Sequence, residues 1–312
     1  MLKITVIGAG RWGQNIIATL REIGGVEVVV VGKKDDISPN GEKMRDADAV
    51  VVATPGSTHA QVALPFIEKG LPVFVEKPLA ISLAEAEKMK MAADKSGALV
   101  FVGHIHLYNP AYLKTKELAD RAGNIRALLF EGMSNGPYRN DMSAVWDWAP
   151  HDAAMALDLL GAKPLSVQAW GINVLRPETN LVDLAWLKIS FDNAVTAVCS
   201  LGWLSPEKRK KLTVIAANDS IVFDDRAEKK VILYKNMGPK VADNEARQQE
   251  PEISYPTYGT QAPLERELTA FLDCVKNGKK PRSGIGQGVE VVRIIAAAER
   301  SAKLDGRIEK IR

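Results

Sequence analysis

Through the first hundred residues of the chain, short β-branched runs alternate with stretches of helical periodicity. Lys3-Ile-Thr-Val-Ile7 is a compact apolar run of the kind found in a strand covered on both faces. After it, Ile16, Ile17, Leu20 and Ile23 recur on one helical face. Further strands are predicted over 26–31, 49–53, 72–75 and 99–102, and helices over 58–68 and 82–95. Ser82 with Glu85 three residues on forms a capping box. Strand and helix alternating through short turns predict a doubly wound parallel sheet of Rossmann type. The link from 32 to 48 barely holds a full crossover helix, so a short helix or an irregular loop is expected there.

Beyond Pro110 the pattern changes. Helices are predicted over 111–122, 151–160, 265–276 and 289–302. Extended runs fall at 125–130, 167–174, 184–190, 195–201, 212–215, 221–225 and 231–234. Consecutive strands at this spacing predict an α+β domain with an open mixed or antiparallel sheet. The expected division is a dinucleotide-binding domain over 1–118 and a substrate-binding and oligomerisation domain over 119–312.

Composition narrows the class. A chain of 312 residues has room for two domains, and 41 basic against 38 acidic residues give a net +3. That balance argues against a nucleic-acid or membrane-surface partner. The dense basic run at 208–211 reads as a solvated turn leading into a strand. Only Cys199 and Cys274 are present, which fits a reducing compartment and no disulfide framework. With no leader-like segment and no long apolar stretch, a soluble cytoplasmic protein is expected.

The candidate chemistry sits at strand ends. Gly8-Ala-Gly-Arg11-Trp12-Gly13 follows a strand and opens a helix, the setting of a pyrophosphate-binding turn. Gly8 makes the tight turn, Gly10 admits the phosphates, and Gly13 lets helix and strand pack closely. After the second strand the chain reads Gly32-Lys33-Lys34-Asp35-Asp36. Lysines there suit a 2′-phosphate and tilt the cofactor toward NADP; Asp35 or Asp36 curling back to the ribose is the alternative. Thr54 and Pro55 are expected to wall the nicotinamide side, with Ser57 or Thr58 capping the next helix and His59 in its first turn. Glu76-Lys77-Pro78 closes the fourth strand and puts Lys77 in the same crevice, able to hydrogen-bond a substrate hydroxyl and move its proton. In the second half, Trp146-Asp147-Trp-Ala-Pro-His151-Asp152 places an acid four residues before a histidine suited to accept a hydroxyl proton. Arg139, shortly before, suits a phosphate or carboxylate on the substrate. No metal site is expected.

In order, Gly8-x-Gly10-x-x-Gly13, Ala53-Thr-Pro-x-x-x-His59, Glu76-Lys-Pro78, Gly103 to Tyr108-Asn-Pro110 and Asp147-x-x-x-His151 resemble the glucose–fructose oxidoreductase / inositol dehydrogenase (Gfo/Idh/MocA) family across the whole chain. The resemblance implies NAD(P)-dependent hydride transfer to or from a secondary alcohol carbon of a sugar or nucleotide sugar. It also implies Lys77, Asp147 and His151 as the polar group set. Cofactor contacts are expected from the glycine turn through Glu76, and Tyr108 is expected among the substrate contacts. Apolar strands such as 195–201, in a sheet that one helix layer cannot cover on both faces, predict a homodimer or homotetramer. Leu107 stands where many relatives have arginine. A nucleotide sugar is the first-choice substrate. Alternatives are a simple polyol or monosaccharide dehydrogenase, a cofactor-retaining sugar-modifying enzyme, and a cofactor-sensing regulator.

Overall fold

The computed structural model describes the chain except for residues 33, 180, 238–239, 243–244, 248–249 and 312. It begins with β1 (Leu2–Ile7), α1 (Arg11–Ile23), β2 (Val26–Val31), β3 (Ala49–Val52), α2 (His59–Glu68), β4 (Val73–Glu76), α3 (Leu83–Ser96) and β5 (Val100–Gly103). These strands make one sheet, ordered β2-β1-β3-β4-β5, with every pair parallel. Strands β3, β4 and β5 are buried along their whole length, as a parallel sheet covered on both faces requires. The expected capping box forms: Ser82 Oγ accepts from Glu85 N–H at 3.3 Å and donates to Glu85 Oε2 at 3.0 Å. Between β2 and β3 the described chain carries only a single 3₁₀ turn, Glu42–Met44.

The chain continues through α4 (Pro110–Arg121), β6 (Ile125–Asn135), α5 (Ala144–Leu160), β7 (Pro164–Ile172), β8 (Leu184–Phe191), β9 (Thr196–Gly202), β10 (Leu204–Ala216), β11 (Ser220–Asp224), β12 (Val231–Lys235), β13 (Lys240–Ala242), β14 (Glu245–Arg247) and β15 (Glu252–Ser254). It ends with α6 (Pro263–Asn277), α7 (Ile285–Lys303) and β16 (Glu309–Lys310). A nine-stranded mixed sheet runs β15-β12-β11-β10-β6-β9-β8-β7-β16; β6 and β9 are parallel and the other neighbours antiparallel. Its strands alternate. On β9, Ala197, Cys199 and Leu201 are buried, whereas Val198 faces outward at 40% exposure. Both cysteines are free and buried.

Two compact units result, Met1–Asn109 with Gln261–Ala296, and Pro110–Thr260 with Ala297–Arg312. The sequence pattern suggested one cut after 118; the chain instead leaves the first unit at 110 and returns to it. The return has a visible cause on α6. Phe271 lies edge-on to Phe74 of β4 at 5.5 Å and to Phe101 of β5 at 5.6 Å, completing an aromatic cluster in the first unit's core.

The basic run at 208–211 is a second difference. It lies inside β10 rather than in a turn. Arg209 Nη1 reaches Glu131 Oε2 of β6 at 3.2 Å, and Lys211 faces Glu131 directly across the ladder. Cross-strand charge pairing lets a charged sequence continue a strand on its outward face. Among the described residues no helix is long and apolar enough to cross a membrane.

Candidate active site

In the first unit the glycine turn joins β1 to α1. Gly8 has φ +101°, and a Cβ there would stand 2.6 Å from Ala53 O. A Cβ on Gly13 would meet Gly8 O at 2.0 Å, so the helix packs on the turn at a distance only glycine permits. A Cβ on Gly10, by contrast, would meet nothing within 4 Å. Gly10 is also the N-cap of α1, no acidic side chain occupies the first turn, and Arg11 is exposed beside it. Open space at a helix N-terminus lined by backbone N–H groups fits a pyrophosphate.

The turn after β3 is held from beneath. His59 is fully buried, with Nδ1 2.7 Å from Pro78 O and Nε2 2.8 Å from Thr54 O. It therefore ties the β3 turn to the β4 turn instead of standing on the surface. Thr54 is half-buried and Pro55 exposed, in keeping with a crevice wall. Thr58 occupies the N-cap position of α2, but its hydroxyl turns back to Thr54 Oγ1 at 2.9 Å and Pro55 O at 2.7 Å instead of capping the helix.

At the end of β4, Glu76 accepts from Trp12 Nε1 at 2.6 Å and from Lys77 N at 3.2 Å, so one carboxyl links the phosphate turn to the lysine. Gly103 makes room for it; a Cβ there would stand 3.1 Å from its Cδ. Burial pushes Glu76 up to about 7, against the pull of Trp12 and Lys77. Glu267 of α6 is fully buried nearby, and neither carboxyl oxygen has a hydrogen-bond partner among the described residues. Burial, and then the charge of Glu76, push its pKa well above the usual carboxylate range. Tyr108 was expected to meet substrate, but its hydroxyl is spent in the core, 2.9 Å from Ser283 Oγ and accepting from Ser283 N, with the ring stacked on Phe101. Burial raises its pKa. Leu107 is wholly buried as well.

At the adenosine end, Asp35 curls back onto β2. Its Oδ2 accepts from Gly32 N at 2.8 Å and from Lys43 Nζ at 2.9 Å, and the lysine contact, then the Gly32 bond, holds its pKa below the ordinary value. Lys34 is exposed, and Lys33 lies outside the described residues.

In the second unit α5 starts at Ala144, about two turns before the predicted 151. Asp147 thus falls in its first turn, where the helix dipole favours a carboxylate, and His151 lies one turn later on the same face. Arg139 Nε approaches Asp147 Oδ1 at 3.4 Å, so this arginine is engaged by the candidate acid. His151 is half-buried, while its neighbour Asp152 turns into the sheet layer against Cys199. Among the described residues no group of three His, Cys, Asp or Glu side chains is placed to hold a metal ion.

Residues 35–104 match the oxidoreductase family with an NAD-binding Rossmann fold, GFO_IDH_MocA, and residues 131–222 match the GFO/IDH/MocA C-terminal domain. A solved structure from Magnetospirillum magnetotacticum, described as an oxidoreductase, is 31% identical, covers 95% of this chain and 99% of its own, and superposes with a TM-score of 0.80. The chain belongs to the Gfo/Idh/MocA oxidoreductase family. Other relatives include the NAD⁺-dependent scyllo-inositol 2-dehydrogenase of Bacillus subtilis, 28% identical over 75% of this chain and 69% of its own. The UDP-N-acetylglucosamine 3-dehydrogenase of Acidithiobacillus ferrooxidans is 26% identical over 54% of this chain and 53% of its own. Its solved structure shares the fold, with a TM-score of 0.83. The protein is thus an oxidoreductase with an NAD-binding Rossmann domain. Sequence reasoning gave no role to His104 or Glu267. Their one signal was a polar residue at a position that strand or helix periodicity assigns to the core.

Proposed function

We propose that this Gfo/Idh/MocA protein is an NAD-dependent dehydrogenase acting on a secondary alcohol of a sugar or cyclitol. What carries the reading is the common face of Asp147 and His151 on α5, taken with Lys77 at the carboxyl end of β4. His151 accepts the hydroxyl proton, Asp147 orients the imidazole, and Lys77 stabilises the developing alkoxide. Gly8, Gly10, Arg11, Trp12 and Gly13 hold the pyrophosphate, with Thr54, Pro55 and Glu76 around the nicotinamide. When bound, nicotinamide supplies the hydride acceptor. The Asp35 carboxylate at the end of β2 favours NAD over NADP, since a carboxylate there suits the ribose hydroxyls. The pairing of Arg139 with Asp147 ranks neutral sugars and cyclitols ahead of nucleotide sugars, since part of the arginine's charge is already used. Names of relatives cover both classes.

The test is turnover of a panel of inositols, aldoses and UDP-sugars with NAD⁺, in the parent, Lys77→Ala and His151→Ala. Each substitution is expected to lower turnover by about 10²-fold or more, the usual scale for acid–base groups, with cofactor affinity kept. Near-parental turnover in both variants refutes the assignment.

We also propose that the outward face of the nine-stranded sheet meets a second copy of the chain. Trp170 and Trp186 stand opposite each other across β7 and β8, and Leu129 and Val198 do so across β6 and β9; all four are at least 40% exposed. Helices α4 and α5 cover the other face, and an apolar face of this extent is characteristic of an interface.

A further inference from the structure

Along residues 144–156 of α5 every side chain is buried except three, Asp147, Trp148 and His151. Two of these carry the proton chemistry proposed above. The third is an indole. It precedes His151 by three residues, so the two side chains are neighbours on the helix surface. Packing alone does not call for a tryptophan there. Trp146, two residues earlier, fills the interior of the same unit: it is 4% exposed, and its Nε1 donates to Glu299 Oε2 at 2.8 Å. Trp148 instead stays half-buried, on the part of the helix that leaves Asp147 and His151 accessible.

The sheet is shaped to receive this ring. Gly132 follows Leu128 and Phe130 on the inward row of β6, and Lys210 precedes Leu212 and Val214 on the inward row of β10. The two are direct cross-strand partners. A Cβ on Gly132 would stand 3.0 Å from Trp148 Cε3, so glycine lets the indole lie close against the strand. Lys210 Nζ stands 5.8 Å from the ring centroid, within reach of a cation–π contact. The indole is braced from the sheet side, which fixes the orientation of the part left accessible beside His151.

A six-membered ring with equatorial hydroxyls turns its axial C–H bonds toward its two faces. Such a face is apolar, and its hydrogens suit the electron-rich face of an aromatic ring. We propose that Trp148 determines substrate class, its indole forming the platform on which the C–H face of a cyclitol or pyranose with equatorial hydroxyls lies while one hydroxyl turns to His151. The platform supplies binding and orientation, and the proton still passes to His151.

The inference deepens the dehydrogenase reading and rests on it, so its decisive readout is binding without turnover. The probe is scyllo-inositol, whose hydroxyls are all equatorial. With NADH present, saturation-transfer difference NMR with irradiation of the aromatic protons should show transfer to the inositol ring protons in the parent. In Trp148→Leu the transfer should fall about threefold or more, and in Trp148→Phe, which keeps an aromatic face, most of it should remain. His151→Ala should keep most of the transfer while losing turnover. In kinetics with NAD⁺, Trp148→Leu should raise KM about tenfold, more than it lowers kcat, and Trp148→Phe should recover most of that loss. Absence of transfer to scyllo-inositol in the parent, a result that needs no variant, overturns the inference, and so does parental transfer in Trp148→Leu. Parental turnover in His151→Ala instead overturns the reading on which it rests, whatever the transfer shows.

Discussion

Asp152 offers a quantitative test of how α5 is seated. It follows His151 but points the other way, into the layer between helix and sheet. It is 7% exposed, and its carboxyl contacts Cys199 on the inner face of β9. Its Oδ2 has no hydrogen-bond partner among the described residues. Burial is the dominant influence and raises its pKa from 3.8 to about 8; the charge of Lys210 and the Cys199 contact oppose the rise without cancelling it. Between those two values the folded protein keeps a proton that the unfolded chain has lost. Folding therefore binds protons across this window, and stability falls as pH rises, by at most about 1.4 kcal/mol per pH unit. Below 3.8 both states are protonated and the dependence vanishes; above about 8 both are ionised and the full cost has been reached.

From pH 6 to pH 8 the loss from this one group is about 2 kcal/mol, less than the full slope because the folded carboxyl is half-titrated at the upper end. Asp152→Asn has nearly the same shape and cannot titrate. Parent and variant should have similar stability below about pH 3.8, and from pH 6 to pH 8 the variant's lead should grow by about 2 kcal/mol. In thermal melts that is about 4–8 °C. The difference between the two proteins cancels every other titrating group, Glu76 included. Denaturant melts of both at several pH values read it directly. If the two curves run parallel, or if the variant loses ground as pH rises, Asp152 is ionised in the folded protein and Lys210 outweighs burial.

Other expectations follow from single contacts. Phe271→Ala should destabilise the first unit by about 3–5 kcal/mol in denaturant melts, because it empties the wedge against Phe74 and Phe101. Asp35→Ala should weaken NADH binding about ten- to a hundredfold in fluorescence titrations, with no comparable loss for NADPH; equal losses would remove the assignment of Asp35 to cofactor choice. Trp186→Glu should convert the assembly to single protomers by light scattering at micromolar concentration, and a monomeric parent would refute the sheet-face interface.

Where the sequence was informative, local chemistry decided the structure. Gly8 and Gly13 were readable because positive φ and close backbone approach demand glycine at fixed offsets from a β-branched strand. Ser82 and Glu85 were readable because a capping box needs no tertiary partner. The start of α5 was missed because Pro150 sits inside the helix and suggests a break, although Ser143 stands at the N-cap in extended conformation and the first turn carries an acid. The charged stretch of β10 was missed because its strand character comes from Glu131 on β6, far away in sequence.

His104 and Glu267 mark the deeper limit. Each is a polar side chain surrounded by apolar packing that distant segments supply, and composition carries no record of burial. The sequence reading put Lys77 at a strand end, and the fold adds the Glu76 carboxyl, which accepts from Lys77 N at 3.2 Å and from Trp12 Nε1 at 2.6 Å. A charge is tuned by what packs around it more than by what precedes it in the chain.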